Sequence, residues 1–133
     1  MKNTVTPRNL PDVHPTLRVI PMPADTNAYG DVFGGWLLSQ MDLAGASEAT
    51  RCAGGRVVTI GIESMSFHMP VFVGDEVSFY TTIKRVGRTS ITVHVESWAR
   101  ARDVENTRMV TEGIYTFVSI DTNRKPKEIK NHD

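Results

Sequence analysis

Between residues 34 and 52, apolar side chains recur every three or four positions, and this spacing predicts one long helix. The apolar face consists of Leu37, Leu38, Met41, Ala44, Gly45, Ala49 and Cys52. The segment before the helix is rich in residues that favour turns, and two glycines at positions 54–55 stop it. We therefore expect the helix to run from about Gly34 to about Cys52.

Elsewhere the apolar positions follow a period of two, which predicts strands. A short strand at 17–22 precedes the helix, and longer strands follow it at 57–67, 76–86, 89–102 and 107–120. Val58, Ile60 and Ile62 share one face of the first long strand. Because the loops are short, the four long strands are expected to be antiparallel neighbours in chain order. A curved sheet wrapped around the helix, an α+β roll, satisfies this pattern.

The composition is that of a single globular domain of 133 residues, 40% hydrophobic and 23% charged. Residues 1–15 are expected to form a loose arm, and residues 121–133 a polar tail with little to bury. Fifteen basic and fifteen acidic residues balance, which argues against a nucleic-acid binder. One cysteine, no signal-like start and no membrane-length apolar run favour the cytoplasm.

The carboxylate of Asp42 interrupts the apolar face of the predicted helix. An acidic group among apolar neighbours is costly unless it is paired or functional. At the helix start, Gly34 and Gly35 leave backbone N–H groups open at the positive end of the dipole. A base on a helix and an anion-stabilising helix start are two halves of an acyl-transfer site. Structural alternatives stay open: Asp42 pairs with a buried group, and the glycines allow close helix packing.

Five segments of the chain carry a more specific signal. They are MPxDTNxxGDVFGGW at 22–36, SQMD at 39–42, GRVVT at 55–59, FxxP with VGD between 67 and 75, and VGRTS at 86–90. Together they resemble the hotdog-fold acyl-CoA thioesterases of the bacterial YciA type, which are related to mammalian brain acyl-CoA hydrolases. The resemblance covers roughly residues 17–120, and its first two segments are the most specific.

This resemblance implies a hotdog fold and hydrolysis of acyl-CoA to a fatty acid and free CoA, without a cofactor. It implies that Asp42, as base or nucleophile, and Asn27, whose amide orients the carbonyl or water, are the essential pair. The N–H of Gly35 would complete an oxyanion hole beside Gly34. An Asx turn is the alternative role of Asn27, and Asp31 is interpreted as favouring the helix start.

CoA carries phosphates, so its binding residues are expected to be basic and near the rim of the site. The candidates are Arg56, Lys84, Arg85, Gly87, Arg88, Thr89 and Ser90. A solvated hairpin end is the alternative for most of them. The resemblance adds Val58, Thr59 and Phe67 as substrate-binding residues. The histidines at 14, 68, 94 and 132 lack metal-ligand spacing, so no metal is assigned.

Helix geometry predicts that the site is shared between two chains. Asp42 lies 42 − 34 = 8 residues after Gly34, about 12 Å along the axis. One thioester carbonyl cannot lie within about 3 Å of donors at the helix start and also beside Asp42 of that chain. Asp42 should therefore come from one subunit, and Gly35 with Asn27 from its two-fold partner. The resemblance implies that three such dimers form a hexamer.

Two other functions compete with hydrolysis. A dehydratase or hydratase of acyl thioesters would need a histidine beside the carboxylate, and the segment from Asn27 through the helix contains none. A non-catalytic acyl-CoA or nucleotide-binding protein would keep the fold and lose the base, whereas this chain retains Asn27 and Asp42. Release of free thiol from acyl-CoA separates hydrolysis from both.

Overall fold

The computed structural model describes residues 9–130, which form one long helix and five antiparallel strands. In chain order they are β1 Leu17–Val19, α1 Gly34–Ala53, β2 Val57–Phe67, β3 Glu76–Val86, β4 Ser90–Arg100 and β5 Thr107–Ser119. The predicted helix is confirmed, and it ends where Gly54 adopts a left-handed conformation, φ 74°. The first strand is shorter than predicted because the chain reaches two prolines and then a 3-10 turn, Pro23–Asp25.

The strand order is β1-β3-β4-β5-β2, so the expectation of four consecutive neighbours is wrong for β2. Instead of pairing with β3, β2 pairs with β5 at the far edge. The cause is the connection 68–75, which crosses the start of the helix rather than forming a hairpin. Its Val71 is buried, 2% exposed, and accepts a hydrogen bond from the Val32 N–H. Phe72 forms an isolated bridge with Asp31.

The helix packs on one face of the sheet and forms the core that the periodicity predicted. Buried side chains include Leu37, Met41, Ala44 and Ala49 on α1, with Ile91, Val93, Val95, Tyr115 and Phe117 on the strands. The closest approach lies at Gly45, where an added Cβ would be 3.1 Å from the Phe117 ring. A side chain at this position would have to displace the Phe117 ring by a few tenths of an ångström, so glycine lets the helix lie this close to β5. The α+β roll is therefore confirmed.

The edge strand β2 is exposed in a way that the sequence pattern did not indicate. Ile60 is 60% exposed and Ile62 is 43% exposed, and among the strands of residues 9–130 β2 has a paired neighbour on one side only. Register shifts between Thr59 and Gly61 and between Glu63 and Ser66 bend the strand. An apolar, unpaired edge of this length favours pairing with another chain.

The C-terminal segment, residues 121–130, is better anchored than expected. Its Ile129 is 8% exposed within the core, and the Ile129 N–H donates 2.8 Å to the Arg88 carbonyl. A turn at Asp121 starts the segment, because this carboxylate accepts the N–H groups of Asn123 and Lys125. The expectation that the tail has little to bury is therefore wrong at Ile129. Residues 131–133 lie outside the described part of the chain.

The predicted arm, residues 1–15, is described only from residue 9 onward. Residues 9–15 contain no helix or strand, and Leu10 to Pro15 line a surface depression together with Arg18 and Tyr80. Among residues 9–130, no helix is both long and apolar enough to cross a membrane.

Candidate active site

Asp42 lies on the part of α1 that faces the edge strand β2. Its Oδ1 accepts a 2.7 Å hydrogen bond from the Thr59 hydroxyl. Asp42 forms no salt bridge within residues 9–130. The described residues therefore do not place it in a buried ion pair, which was its structural alternative. Its partner is a neutral hydroxyl on an exposed strand. The second carboxylate oxygen, Oδ2, is therefore available to act on water or on the substrate.

Tyr115 is a buried residue of β5 that lies near Asp42 in the core. The sequence did not predict it as part of the site. Its hydroxyl donates 2.8 Å to the Leu38 carbonyl, one turn before Asp42 on the helix. Burial, together with the negative charge of Asp42, raises the pKa of Tyr115 well above its ordinary value. Tyr115 therefore remains a neutral donor at physiological pH and supports the helix rather than acting as a base.

The start of α1 is open. Phe33 is the N-cap residue, and no side chain among the described residues 9–130 caps the helix. Gly34 and Gly35 are exposed, and an added Cβ at Gly35 would meet no atom within 4 Å. Close packing therefore does not explain Gly35 within this chain. The first backbone N–H groups of the helix face outward at its positive end, where they can stabilise an anion.

A pocket of about 350 Å³ adjoins this helix start. Its lining includes Asp31, Gly34, Leu37, Phe67, His68 and Val71. An added Cβ at Gly34 would lie 3.5 Å from the Phe67 ring, so these two predicted site residues meet here. Asp31 makes no capping hydrogen bond to the helix, but it lines the pocket at the helix start, and its favourable effect on that end stays a prediction. Asp42 is absent from this lining, as the helix geometry predicts for a single chain.

Asn27 forms the Asx turn that was its structural alternative. Its side-chain oxygen accepts the N–H groups of Tyr29, at 2.8 Å, and Asp31, at 3.1 Å. These bonds fix the orientation of the amide, because its nitrogen cannot accept them. The Asn27 NH₂ group has no hydrogen-bond partner within residues 9–130. The turn thus holds a free donor in the loop that leads to the helix start.

The predicted phosphate-binding residues lie together at one end of the sheet. Lys84, Arg85, Arg88 and Arg56 are all exposed. The Gly87 N–H donates 2.7 Å to the Ser90 carbonyl and closes the tight β3–β4 connection. Arg56 and Thr89 lie at the same end of the sheet. The Arg56 carbonyl accepts the Ile120 N–H, and the Thr89 carbonyl accepts the Ser119 N–H. Val58 is half-buried nearby and pairs with Val118 on β5.

The candidate residues thus form three groups rather than one. Gly34, Gly35, Phe67 and Asn27 lie around the helix start, Asp42 and Thr59 lie midway, and the basic residues lie at the sheet end. Thr59 follows Arg56 by three residues, about 10 Å along β2, so the second and third groups are neighbours. The helix start of the first group lies about 12 Å along the axis from Asp42 of its own chain, beyond the hydrogen-bond reach of a single carbonyl.

His68 is a pocket residue that the sequence did not single out. Its Nε2 lies 3.1 Å from Glu112, whose other oxygen lies 3.1 Å from His94 Nε2. Glu112 follows His68 by 44 residues, so no local pattern could have indicated this contact. The pairing holds His68 at the pocket wall, next to Phe67.

Comparison with known proteins finds relatives over most of the chain. The sequence profile of the thioesterase superfamily matches residues 29–105, more than half of the chain. An uncharacterized acyl-CoA thioester hydrolase of Zymomonas mobilis is 47% identical over 119 residues, which are 90% of this chain and 80% of that protein. The acyl-CoA thioester hydrolase YciA of Escherichia coli is 42% identical over 127 residues, covering 93% of this chain and 96% of YciA.

Solved structures share the fold as well. A hexameric thioesterase from Yersinia pestis has a TM-score of 0.87 at 42% identity and covers 92% of this chain and 100% of its own. A hexameric hotdog-fold thioesterase of Campylobacter jejuni has a TM-score of 0.84 at 41% identity and covers 89% of this chain and 91% of its own. The chain therefore belongs to the thioesterase superfamily and has the hotdog fold.

Proposed function

We propose that this protein hydrolyses the thioester bond of acyl-CoA and releases a fatty acid and CoA. The observation that carries the proposal is the state of Asp42: a carboxylate without a cationic partner among the described residues, oriented by the Thr59 hydroxyl at an exposed strand. The two relatives named above by sequence are acyl-CoA thioester hydrolases, and the chain matches 80% and 96% of their lengths.

Asp42 supports two chemical routes. As a general base, it takes a proton from water while the water oxygen attacks the carbonyl carbon. The tetrahedral intermediate then expels the CoA thiolate, which receives a proton and leaves as the thiol. As a nucleophile, Asp42 forms an anhydride and releases the thiolate first, and water then cleaves the anhydride. Both routes give the same products, and Thr59 holds Oδ1 in either of them.

The negative charge that develops on the carbonyl oxygen needs donors that already point at it. The outward N–H of Gly35 and the unpaired NH₂ group of Asn27 are such donors. The Asx turn contributes to catalysis here, because it fixes which end of the Asn27 amide is available. The structural and functional readings of Asn27 are therefore compatible.

The two halves of the site come from different chains in this proposal. Asp42 contacts Thr59, whereas the helix-start pocket contains Phe67, eight residues further along β2. Antiparallel pairing of two β2 edges about a two-fold axis near residue 63 would place Thr59 of one chain opposite residue 67 of the other. The exposed Ile60 and Ile62 would then be covered. Assembly of three dimers into a hexamer follows the relatives, which are hexameric.

The remaining assignments follow from the substrate. The basic residues Arg56, Lys84, Arg85 and Arg88, with Thr89 and Ser90, would bind the CoA phosphates. Hydrolysis by a carboxylate and backbone donors needs no metal or other cofactor. A cytoplasmic location fits a substrate that carries CoA and a chain with a single cysteine.

The test compares Asp42→Asn with Asp31→Asn, a matched change at the helix-start pocket. Thiol release is followed with a panel of acyl-CoAs. Asp42→Asn should lower kcat at least about a hundredfold, the scale of a lost general base, while acyl-CoA still binds. Asp31→Asn should lower kcat much less than Asp42→Asn does. Near wild-type turnover by Asp42→Asn would refute the assignment. In the wild type, an enoyl product would indicate a dehydratase, and tight binding without turnover a non-catalytic binding protein.

A further inference from the structure

Charge is distributed unevenly in a chain whose net charge is zero. We define the basic end as residues 54–56, 84–90 and 119–130, which meet at one end of the sheet. It contains eight of the fifteen basic side chains and only two of the fifteen acidic ones. Half of these basic residues belong to the C-terminal segment: Arg124, Lys125, Lys127 and Lys130. The segment thus contributes as much positive charge as the β3–β4 hairpin and Arg56 together.

The fold holds this segment against the hairpin. The Lys127 N–H donates 2.8 Å to the Ser119 carbonyl, and the Ile129 N–H donates 2.8 Å to the Arg88 carbonyl. Ile129 is buried, whereas Lys125 and Lys127 are exposed, so the segment is anchored by one side chain and presents two lysines to solvent. The Asp121 carboxylate is occupied by two backbone N–H groups of its own turn.

The basic end lies on the Arg56 side of Thr59, the residue that contacts Asp42. Thr59, which contacts Asp42, follows Arg56 by three residues on β2, about 10 Å. The reacting thioester of an acyl-CoA is separated from its pyrophosphate and 3′-phosphate by the extended pantetheine arm. With the carbonyl beside Asp42, a pantetheine arm that runs along β2 toward Arg56 would bring the phosphates to the basic end. The basic end is the end whose charge they require.

We propose that the C-terminal segment is part of the substrate site and that Lys125 and Lys127 bind CoA phosphates together with Arg56 and Arg88. This inference rests on the proposed function. It gives the segment after β5 a specific role: it makes the enzyme select thioesters that carry the CoA nucleotide. The catalytic groups around Asp42 do not distinguish such thioesters from simpler ones.

The experiment uses the full chain with Lys125→Ala/Lys127→Ala, and Arg102→Ala as the matched control, because Arg102 is an exposed cation in the β4–β5 turn at the opposite end of the sheet. For acyl-CoA, the double variant should raise KM about tenfold and leave kcat within about twofold, since a remote phosphate contact contributes uniform binding. With the corresponding acyl-pantetheine, which lacks the nucleotide, its KM should equal that of wild type. Arg102→Ala should leave the KM for acyl-CoA and the KM for acyl-pantetheine unchanged. Lys125→Arg/Lys127→Arg, which keeps both positive charges, should have the wild-type KM for acyl-CoA.

Calorimetric binding of free CoA separates this inference from the proposed function. About tenfold weaker CoA binding by the Ala double variant, with pantetheine binding unchanged, supports the inference even if no acyl-CoA is hydrolysed. Hydrolysis that proceeds with an unchanged KM and unchanged CoA affinity overturns the inference and leaves the proposed function standing. Equal losses with acyl-CoA and acyl-pantetheine would also overturn it, because they would show a structural effect of the segment.

Discussion

Strands β4 and β2 have the same length, 11 residues, and both read as apolar strands in the sequence, yet their environments are opposite. In β4, Ile91, Val93 and Val95 are 0% exposed, and the strand is paired on both sides. In β2, Ile60 and Ile62 are 60% and 43% exposed, and within the described part of the chain one edge of the strand is unpaired. An alternating pattern therefore identifies a strand but not its partner, and the apolar residues of β2 indicate a surface that a second chain covers.

The edge strand also connects the three groups of site residues. It follows Arg56 at the basic end, contains Thr59 beside Asp42, and ends at Phe67 in the helix-start pocket. A central strand with both edges paired could not present these positions to a second subunit. The comparison therefore predicts that catalysis depends on β2 of two chains, whereas the stability of each chain depends on β4.

The largest expected effect is recovery of activity in mixed dimers. Asn27→Ala and Asp42→Asn are prepared separately, each is shown to be inactive, and the two are unfolded and refolded together in equal amounts. A shared site gives mixed dimers one doubly damaged site and one intact site. Random pairing should therefore restore about a quarter of wild-type activity by symmetry.

Refolding each variant alone is the control and should restore nothing. If both residues serve a site within one chain, every site in the mixture carries a lesion. A mixture that stays inactive, with subunit exchange demonstrated by mass spectrometry, would show that the two halves belong to one chain.

The fold was predictable because most of it is encoded locally. The apolar periodicity of α1 and the alternation of β3, β4 and β5 fall within two residues of the observed elements. The position of β2 was not predictable, because it depends on how the connection 68–75 crosses the helix start. The burial of Ile129 is also a tertiary property, since a single apolar residue in a polar tail gives no periodic signal.

The second prediction compares one isoleucine from each strand. Ile91→Ala should lower the free energy of unfolding by about 2–5 kcal/mol at any protein concentration, because it opens a cavity in the core. Ile60→Ala should change the stability of the isolated chain by no more than about 0.5 kcal/mol, as expected for a surface site. It should instead weaken self-association, so that the stabilisation contributed by assembly disappears at a higher protein concentration than in the wild type.

Denaturant unfolding at several concentrations and sedimentation velocity measure the two effects. If Ile60→Ala leaves the dissociation constant unchanged, β2 is not the edge that joins two chains. If Ile91→Ala lowers the free energy of unfolding as little as Ile60→Ala does, the proposed difference between the roles of β4 and β2 is wrong.

The candidate site was predictable at the level of residue types and less so in its geometry. Asp42 stood out as a charge on an apolar face, and the family resemblance supplied Asn27. That the Asn27 oxygen is held in an Asx turn while its nitrogen stays free required coordinates. The roles of Tyr115 and His68 depend on partners that are distant in sequence, Leu38 and Glu112.

The smallest expected effect concerns Thr59, the β2 residue that orients Asp42. Thr59→Val keeps the shape but removes the donor, so kcat should fall about tenfold, the scale of one hydrogen bond to a charged group, while KM changes little. Thr59→Ser retains the hydroxyl and should recover most of the rate. The matched control is Thr92→Val on β4, which lies between the buried Ile91 and Val93 and therefore faces away from the helix. This control should leave kcat unchanged. A kcat that is retained in Thr59→Val but lost in Thr59→Ser would mean that the methyl packing of the edge strand, rather than the hydrogen bond to Asp42, is what Thr59 provides.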